Sequence, residues 1–207
     1  INFARTDAYR YSTFEQTNAN VYSDDTFMER YMHGLLYSHV LWYMHASSLH
    51  FFRGRLAARV KPGGKVMEVG SGHGLLIYLA LTELGMAEAV AWDISSISLE
   101  QTRAALTQLG TAERARYAIQ DMHKVQPGGE TFDLIILSHL LEHLEDPVDA
   151  LRKMRHAVAK GGYLFSHKAL AKVFRGKMLA AIKAAGLTLP ARYPETWVVD
   201  CKSVGSG

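Results

Sequence analysis

The segment from Lys65 to Gly74 constrains the fold of this chain more than any other. It reads KVMEVGSGHG, an apolar run that ends in three alternating glycines, and a second apolar run, LLIYLA, follows at once. This order predicts a buried strand, a tight turn and the start of a helix. Glycine lets the backbone turn sharply and come close to a ligand, and the first N–H groups of a helix favour an anionic or electron-rich group. The segment therefore predicts a nucleotide-like ligand.

The spacing of the glycines separates this turn from a dinucleotide-binding turn. The dinucleotide fingerprint is G-x-G-x-x-G, whereas this chain has G-x-G-x-G and places Leu75 where the third glycine belongs. An acid, Glu68, lies two positions before the first glycine. The combination resembles the first motif of class I S-adenosylmethionine-dependent methyltransferases. The resemblance implies that Glu68 lies near the methionine end of the cofactor and that the turn passes under it. The turn residues expected to contact the cofactor are Gly70, Ser71, Gly72 and Gly74.

Patterns typical of strands and helices alternate from residue 65 to residue 186. Such alternation predicts an α/β fold, a doubly wound and mostly parallel sheet with helices on both faces. The resemblance implies seven strands, one of them antiparallel near the end. Within this frame, residues 132–138 predict the fourth strand and residues 163–167 the fifth. Ser96 or Ser98 is expected to cap the second core helix, and Pro147 to begin a helix that includes Val158.

A helical pattern precedes the core, from Asp24 to about Phe52, as one long helix or two shorter ones. In class I methyltransferases the segment before the first strand commonly covers the cofactor and walls the substrate cavity. The resemblance thus implies an N-terminal helical lid in residues 1–60 and a methyltransferase core domain in residues 61–207. His39 and Tyr43, at positions i and i+4, are expected to share a face. The segment holds four histidines that either line the cavity or are ordinary histidines of amphipathic helices: His33, His39, His45 and His50.

An acid that ends the predicted second strand is the next cofactor residue. Asp93 follows the glycines by about twenty positions, where a carboxylate can accept hydrogen bonds from both ribose hydroxyls. The resemblance places Ile94 beside the adenine, and Asp121 near its amino group, although an aspartate there also suits an ordinary surface turn. Met122 is expected to pack nearby. Ser138, at the end of the fourth strand, completes the expected cofactor site.

Methyl transfer from a sulfonium is an in-line displacement, so the protein has to hold the acceptor, the methyl carbon and the sulfur in line. An acceptor hydroxyl or amine also loses a proton, and histidine suits that role. The ends of the fourth and fifth strands carry histidines at the edge where ligands bind in open α/β sheets. The candidate catalytic residues are His39, His139, His143 and His167.

The string from His139 to His143 raises the possibility of a metal. H-x-x-E-H resembles the E-x-x-E-H metal site of ubiquinone-type O-methyltransferases and small-RNA terminal 2′-O-methyltransferases, with histidine in place of the first glutamate. A divalent metal there would be held by His139, Glu142, His143 and His167, and would lower the pKa of a substrate oxygen. The alternative is that the same E-H-x-x-D-P string serves a metal-free enzyme.

Composition and charge limit the kinds of partner expected for this chain. The formal charge of +3 is mild and the basic residues are dispersed, so nucleic acid is not an expected partner. A single cysteine excludes an internal disulfide, and neither a membrane-length apolar run nor a signal-peptide pattern is seen, so we expect a cytoplasmic protein without membrane contact. A homodimer is compatible with these features.

We therefore interpret the chain as a methyltransferase acting on a small, aromatic or apolar organic molecule, as in secondary metabolite biosynthesis. Methylation of oxygen or nitrogen is favoured and methylation of carbon is open. The alternatives are an RNA or protein methyltransferase, a non-catalytic S-adenosylmethionine-binding protein, and a nicotinamide enzyme. One departure from the family is that Lys168 follows His167 directly, where relatives usually carry a substrate loop, so the loop is either absent or missing from this sequence.

Overall fold

The structure is a computed structural model that describes residues 25–124, 129–141, 144, 146–167, 180, 182–184, 188–193 and 196–200. Of the predicted features, Glu142, His143 and the segment that follows His167 directly lie outside these residues. Along the part of the chain that is described, no helix combines the length and the apolar composition needed to cross a bilayer.

Two helices precede the sheet, α1 (Asp25–Leu41) and α2 (Tyr43–Phe51), and a π-helical turn (Phe52–Leu56) continues the second. Trp42 separates them because its backbone is extended, with φ −105° and ψ 118°. Met28, Met32 and His39 lie on the buried side of α1. The prediction that His39 and Tyr43 share a face was wrong: the break at Trp42 turns Tyr43 away, and Tyr43 is 78% exposed.

The strands of the sheet are β1 (Lys65–Val69), β2 (Glu88–Asp93), β3 (Ala115–Ile119), β4 (Phe132–Ser138), β5 (Val158–His167), β6 (Thr188–Tyr193) and β7 (Thr196–Asp200). Five parallel strands form the centre of the fold, in the order β3-β2-β1-β4-β5, which confirms the predicted parallel α/β fold. At one edge, β7 pairs antiparallel with β5, and β6 pairs antiparallel with β7.

The core helices are α3 (Leu75–Thr82), α4 (Ser96–Gln108) and α5 (Pro147–Ala157). Pro147 begins α5 as predicted, and the Asp146 carboxylate caps it by accepting hydrogen bonds from two backbone N–H groups. The prediction that α5 includes Val158 was wrong, because Val158 is extended and pairs with the start of β4. The predicted cap of α4 was also wrong: Ser95 caps it, accepting from the Ser98 N–H.

Alternate residues of the central strands face two separate apolar clusters, one on each side of the sheet. Val66 and Leu134 face the cluster formed with α3, α4 and the end of α2. Met67 and Ile135 face the cluster formed with α5. Such two-sided burial explains why these strands read as continuous apolar runs.

The order of the strands also locates the site. The chain leaves β1 toward β2 and β3 and then returns to β4 on the other side of β1. Such a reversal opens a crevice at the carboxyl ends of the two central strands, where open α/β sheets bind their ligands. Residues that follow β1, β4 and the neighbouring strands therefore define the candidate site.

Candidate functional site

The turn after β1 adopts the conformation that its glycines predict. Gly70, Gly72 and Gly74 all have positive φ angles, of 74°, 48° and 73°. A Cβ at Gly72 would lie 2.9 Å from the Met32 sulfur of α1, and one at Gly74 would lie 3.2 Å from the Thr102 methyl carbon. The turn therefore needs glycine both for its backbone angles and for its close contacts with two helices.

Thr102 of α4 holds this turn through buried hydrogen bonds. Its hydroxyl lies 2.7 Å from the carbonyl oxygen of Gly72, to which it donates, and 2.9 Å from the hydroxyl of Ser71. Thr102 and Ser71 are 0% and 2% exposed. No sequence pattern indicated a role for Thr102, whose contact with the turn joins residues 30 positions apart.

Asp93, at the end of β2, points toward the glycine turn. Its carboxylate accepts hydrogen bonds from the Ser95 N–H at 3.0 Å and from the Ser98 hydroxyl at 2.6 Å. Burial raises the pKa of Asp93, and hydrogen bonds from Ser98 and from nearby backbone N–H groups, including that of Gly72, oppose this shift. The carboxylate is thus fixed in orientation beside the turn, as a ligand for two hydroxyl groups requires.

Glu68 lies in β1, two residues before the turn, and is 3% exposed. Burial raises the pKa of Glu68 well above its ordinary value, a backbone N–H of Ile77 opposes the shift, and the charge of Asp93 adds to it. Its Oε2 atom has no hydrogen-bond partner among the described residues. A buried carboxyl oxygen of this kind is available to a ligand that brings a donor.

The residues expected around an adenine follow β2 and β3, whose ends are joined by a 2.9 Å hydrogen bond from the Gln120 N–H to the Asp93 carbonyl. Ile94 and Asp121 are half-buried, and the Asp121 carboxylate lies 3.9 Å from the Lys124 ammonium. Met122 is 4% exposed and packs in the cluster below α5. All three lie near the end of β2, and their contact with adenine stays a prediction.

The ends of β4 and β5 lie side by side. Ser138 pairs with His167 in the sheet, and the His139 N–H donates to the His167 carbonyl at 3.0 Å. His139 has a φ of 52°, the positive value that residues other than glycine rarely adopt. Such backbone strain persists where the surrounding structure holds a side chain in one direction. Here it places the His139 ring beside that of His167, with 4.8 Å between the ring centroids.

Five histidines converge at this point and form what we call the histidine cluster: His39, His45, His73, His139 and His167. The His45 ring lies 4.4 Å from that of His139 and 5.3 Å from that of His167, measured between centroids. The His39 ring lies 5.2 Å from that of His73 and 6.3 Å from that of His139. Three catalytic candidates, His39, His139 and His167, are thus brought together by the fold.

Hydrogen bonds fix the tautomers at the edge of the cluster. The Nδ1 atom of His39 lies 2.9 Å from the Leu35 carbonyl oxygen, and a carbonyl only accepts, so Nδ1 carries the proton and Nε2 presents its lone pair. Burial lowers the pKa of His39, and burial lowers the pKa of His73 to about 3. These two rings are therefore neutral near pH 7.

Two members of the cluster were missed as site residues. His45 was treated only as one of several N-terminal histidines, and His73 as part of the turn. Residue spacing in the sequence identifies neither of them, because the rings that they contact lie on other helices and strands. Glu142 and His143 lie outside the described residues, so the four-residue metal set stays a prediction.

The helices over the cluster present apolar side chains to solvent. The Trp42 ring contacts that of His45, at 5.2 Å between centroids, and is 60% exposed. The other exposed large apolar residues of α1 and α2 are Phe27, Tyr31, Leu36, Tyr37, Val40, Leu41 and Tyr43. Trp42 thus places an exposed aromatic ring against the histidine cluster.

Comparisons with known proteins show what the chain is similar to. Residues 67–164 match the model of a family described as a methyltransferase domain. The chain is 35% identical over 114 residues to a ubiquinone biosynthesis O-methyltransferase of Xanthomonas campestris, a match that covers 53% of this chain and 45% of the relative. A ubiquinone biosynthesis O-methyltransferase of a Chelativorans species is 29% identical over 150 residues, 72% of this chain and 54% of the relative. The chain thus spans about half the length of these relatives.

Solved structures share the fold. An S-adenosylmethionine-dependent methyltransferase from Aquifex aeolicus has a TM-score of 0.65 at 15% identity and covers 86% of this chain and 97% of its own. A second structure is an O-methyltransferase from neocarzinostatin biosynthesis in complex with S-adenosylmethionine and 2-hydroxy-5-methyl naphthoic acid. It has a TM-score of 0.69 at 20% identity, and the match covers 96% of this chain and 65% of that one. S-adenosylmethionine is the cofactor of this family. Residues 67–164 therefore match a methyltransferase domain, and the chain has the fold of S-adenosylmethionine-dependent methyltransferases.

Proposed function

We propose that this protein transfers the methyl group of S-adenosylmethionine to a hydroxyl oxygen of a small aromatic molecule. The observation that carries the proposal is the position of the glycine turn and Asp93 next to the histidine cluster, at the carboxyl edge of one sheet. The two parts correspond to the two needs of the reaction, a cofactor and an acceptor that loses a proton.

The cofactor would lie across the turn after β1. The left-handed backbone of Gly70 and Gly72 carries no side chain that would block a ligand, and the Met32 side chain, which packs against Gly72, would have to move aside. The Asp93 carboxylate would accept from the ribose hydroxyls, and the buried Oε2 of Glu68 would accept from the methionine ammonium. Bound there, S-adenosylmethionine supplies an activated methyl group. The other proposed contacts are Ser71, Gly74, Ile94, Asp121, Met122 and Ser138.

The acceptor would lie at the histidine cluster, between His139 and His167 of the core domain of residues 61–207 and His39 of residues 1–60, which we propose act as a lid. The exposed Trp42 ring beside His45 suits a flat apolar substrate. His39 would take the proton of the hydroxyl on Nε2, since its Nδ1 is held by the Leu35 carbonyl. The oxygen then forms a bond to the methyl carbon as the carbon–sulfur bond breaks.

Oxygen is favoured over nitrogen as the methylated atom because the relatives bear names of O-methyltransferases. One solved relative holds a hydroxylated naphthoic acid, an aromatic molecule with an ionisable hydroxyl. A neutral histidine is a matched base for such a group. Nitrogen and carbon acceptors are the competing outcomes of the test below.

Calorimetric titration with S-adenosylhomocysteine tests the cofactor part. We expect binding in the wild-type protein, and a loss of about 100-fold in Asp93→Asn, because the amide replaces one acceptor oxygen by a donor and removes the charge that strengthens the other hydrogen bond. Glu100→Gln is the matched control, since Glu100 is an exposed acid on α4. Absence of binding in the wild-type protein, or equal binding in both variants, would contradict the proposal.

Release of S-adenosylhomocysteine, measured with a panel of phenols, aromatic amines and stabilised carbanions, tests the acceptor part. Turnover of a phenol, and none of the amines, is the expected result. Turnover confined to RNA or to a protein substrate would overturn the small-molecule assignment.

A further inference from the structure

Within the histidine cluster, three rings form a compact group. One nitrogen from each of His45, His139 and His167 can be chosen so that all three lie within 4.8 Å of one another. His45 and His167 are 1% and 2% exposed, and His139 is half-buried. The three come from α2 and from the ends of β4 and β5, so only the folded chain assembles them. From this we propose that His45, His139 and His167 bind one divalent transition-metal ion of the zinc type.

The three histidine side chains need only a small movement to bind one ion. Nitrogen ligands at 2.0–2.1 Å in a tetrahedral site lie about 3.4 Å from one another, so each ring nitrogen has to move by less than about 1 Å. Side-chain rotation of that size lies within a rotamer well. The positive φ of His139 already turns that ring toward the other two.

The orientation of His45 is set by Ser38 on α1. The Ser38 hydroxyl donates its only hydrogen to the Leu35 carbonyl, so it accepts a hydrogen bond from Nδ1 of His45, at 2.6 Å. His45 therefore carries its proton on Nδ1 and presents the lone pair of Nε2 to the group. Metal-binding histidines commonly have such an outer partner, which fixes both tautomer and ring direction.

The ligand set indicates the class of metal. Three imidazoles suit Zn²⁺ and its neighbours in the transition series, whereas Mg²⁺ and Ca²⁺ prefer carboxylate and carbonyl oxygens. This set requires neither Glu142 nor His143, and it includes a residue of the N-terminal helices that the sequence analysis did not assign to a metal. It therefore differs in its ligands and in its metal preference from the site that the sequence predicted.

Three protein ligands leave a coordination position open, as in catalytic zinc sites. Neutral imidazoles do not reduce the charge of the ion, so an anionic oxygen is the favoured fourth ligand. This role rests on the proposed function: the acceptor would be a phenol or enol whose ionised oxygen faces the ion, with its proton transferred to Nε2 of His39. Binding of the metal itself does not depend on that step.

Zinc binding by the chelator-treated full chain is the test, measured by competition with a coloured chelator. We expect one Zn²⁺ per chain, with affinity lowered on the order of 100-fold in His45→Gln and in His167→Gln. Ser38→Ala should weaken binding about tenfold, as expected for an outer partner. His50→Gln is the control, because His50 is an exposed histidine on the same helix. Unchanged affinity in His45→Gln would overturn the proposal.

Thermal unfolding of the wild-type protein provides a second measurement that needs no variant. Zinc should raise the unfolding temperature because it joins α2 to β4 and β5, and Mg²⁺ at the same concentration should not. An equal rise with Mg²⁺ would indicate an oxygen-based site and overturn the proposal. S-adenosylhomocysteine is titrated into the same samples: cofactor binding without zinc binding rejects this inference alone, and zinc binding without cofactor binding rejects the proposed function alone.

Discussion

The two halves of the candidate site are built in different ways. The cofactor half, from Glu68 to Met122, is made by consecutive β-strand and helix units, and its polar groups are held by short hydrogen bonds such as those of Asp93 and Thr102. The acceptor half, the histidine cluster, joins α1 and α2 to the turn after β1 and to the ends of β4 and β5 through ring contacts. Local sequence therefore encodes the first half, and tertiary packing creates the second.

Mutations in the two halves of the site should therefore affect different properties of the protein. Loss of a group that holds the turn by hydrogen bonds, such as Thr102, should reduce both cofactor affinity and stability, because the ligand depends on the conformation of the turn. Loss of a group in the acceptor half should reduce methyl transfer and leave cofactor affinity intact. The following variants test this separation in order of expected effect.

His39→Gln should have the largest effect on activity. We expect the rate of methyl transfer to fall about 10²–10⁴-fold, since a positioned proton acceptor contributes that much. The dissociation constant for S-adenosylhomocysteine should change by less than about threefold, because His39 meets the turn through a ring contact with His73 and its hydrogen bond goes to Leu35 of α1. His33→Gln is the control, as His33 is exposed on the same helix. Equal losses of rate and affinity would place His39 in the cofactor half.

Gly74→Ala should have the largest effect on stability. Gly74 and Gly110 have similar φ angles, 73° and 71°, but a Cβ at Gly74 contacts Thr102 whereas one at Gly110 meets open space. The left-handed backbone alone costs alanine about 1–2 kcal/mol, and crowding should bring the loss at Gly74 to about 2–4 kcal/mol. Urea unfolding of both variants measures the difference. Equal losses would show that the contact with α4 contributes nothing.

The sequence predicted the strands and the glycine turn of the cofactor half well for a physical reason, while the contacts with a cofactor stay predictions. The strands β1 and β4 are buried on both faces, so their apolar runs have clear ends, and the predicted bounds of β4 match the structure. The glycines with positive φ and the acid at the end of β2 can be recognised directly in the sequence. These features depend on a few neighbouring residues, and that is the range over which sequence patterns are informative.

The cap of α4, the break between α1 and α2 and the contacts of His45 could not be predicted from the sequence. In each case either several neighbouring residues have the required chemistry or the contacting residues are distant in the chain. Ser95, Ser96 and Ser98 are all chemically able to cap α4, and only the backbone angles select Ser95. The break between α1 and α2 falls at Trp42, where neither proline nor glycine marks it. His45 is one of four histidines in its segment, and its contact with His139 decides its role.

Thr102→Val tests the hydrogen bonds that hold the turn. The change preserves the shape of the side chain and leaves the Gly72 carbonyl and the Ser71 hydroxyl without this partner, which should cost about 1–3 kcal/mol of unfolding free energy. Thr107→Val on the same helix is the control, since its exposed hydroxyl bonds only the Arg103 carbonyl. We expect cofactor affinity to fall in the first variant alone, and urea unfolding with calorimetry measures both.

Glu68→Gln should separate stability from binding. Because burial raises the pKa of Glu68, the folded protein keeps this proton to higher pH than the unfolded chain does. Stability therefore falls as the pH rises from the unfolded pKa, about 4.3, through the folded pKa, and the cost is fully present above it. Glutamine removes that cost, so we expect a gain of about 0.5–2 kcal/mol at pH 7 and weaker cofactor binding.

The measurement for Glu68→Gln is unfolding free energy as a function of pH, with Glu100→Gln as the exposed control. The wild-type protein should lose stability across the window above pH 4 and the variant should lose less. If stability depends on pH in the same way in the wild-type protein and in Glu68→Gln, ionisation of Glu68 has no cost to stability. Glu68 would then not lower stability in exchange for cofactor binding.

Glu130→Gln should have the smallest effect, because it lies at the opposite edge of the sheet. The Glu130 carboxylate accepts from Arg116 at 2.7 and 2.8 Å and from Lys65 at 3.0 Å, but all three side chains are largely exposed. Water and salt screen such pairs, so we expect a change near the error of urea unfolding that disappears in 1 M salt. Cofactor affinity should be unchanged at every salt concentration. A loss of affinity would mean that charges at the amino edge reach the cofactor half, and that the separation between the two halves of the site does not extend to the rest of the sheet.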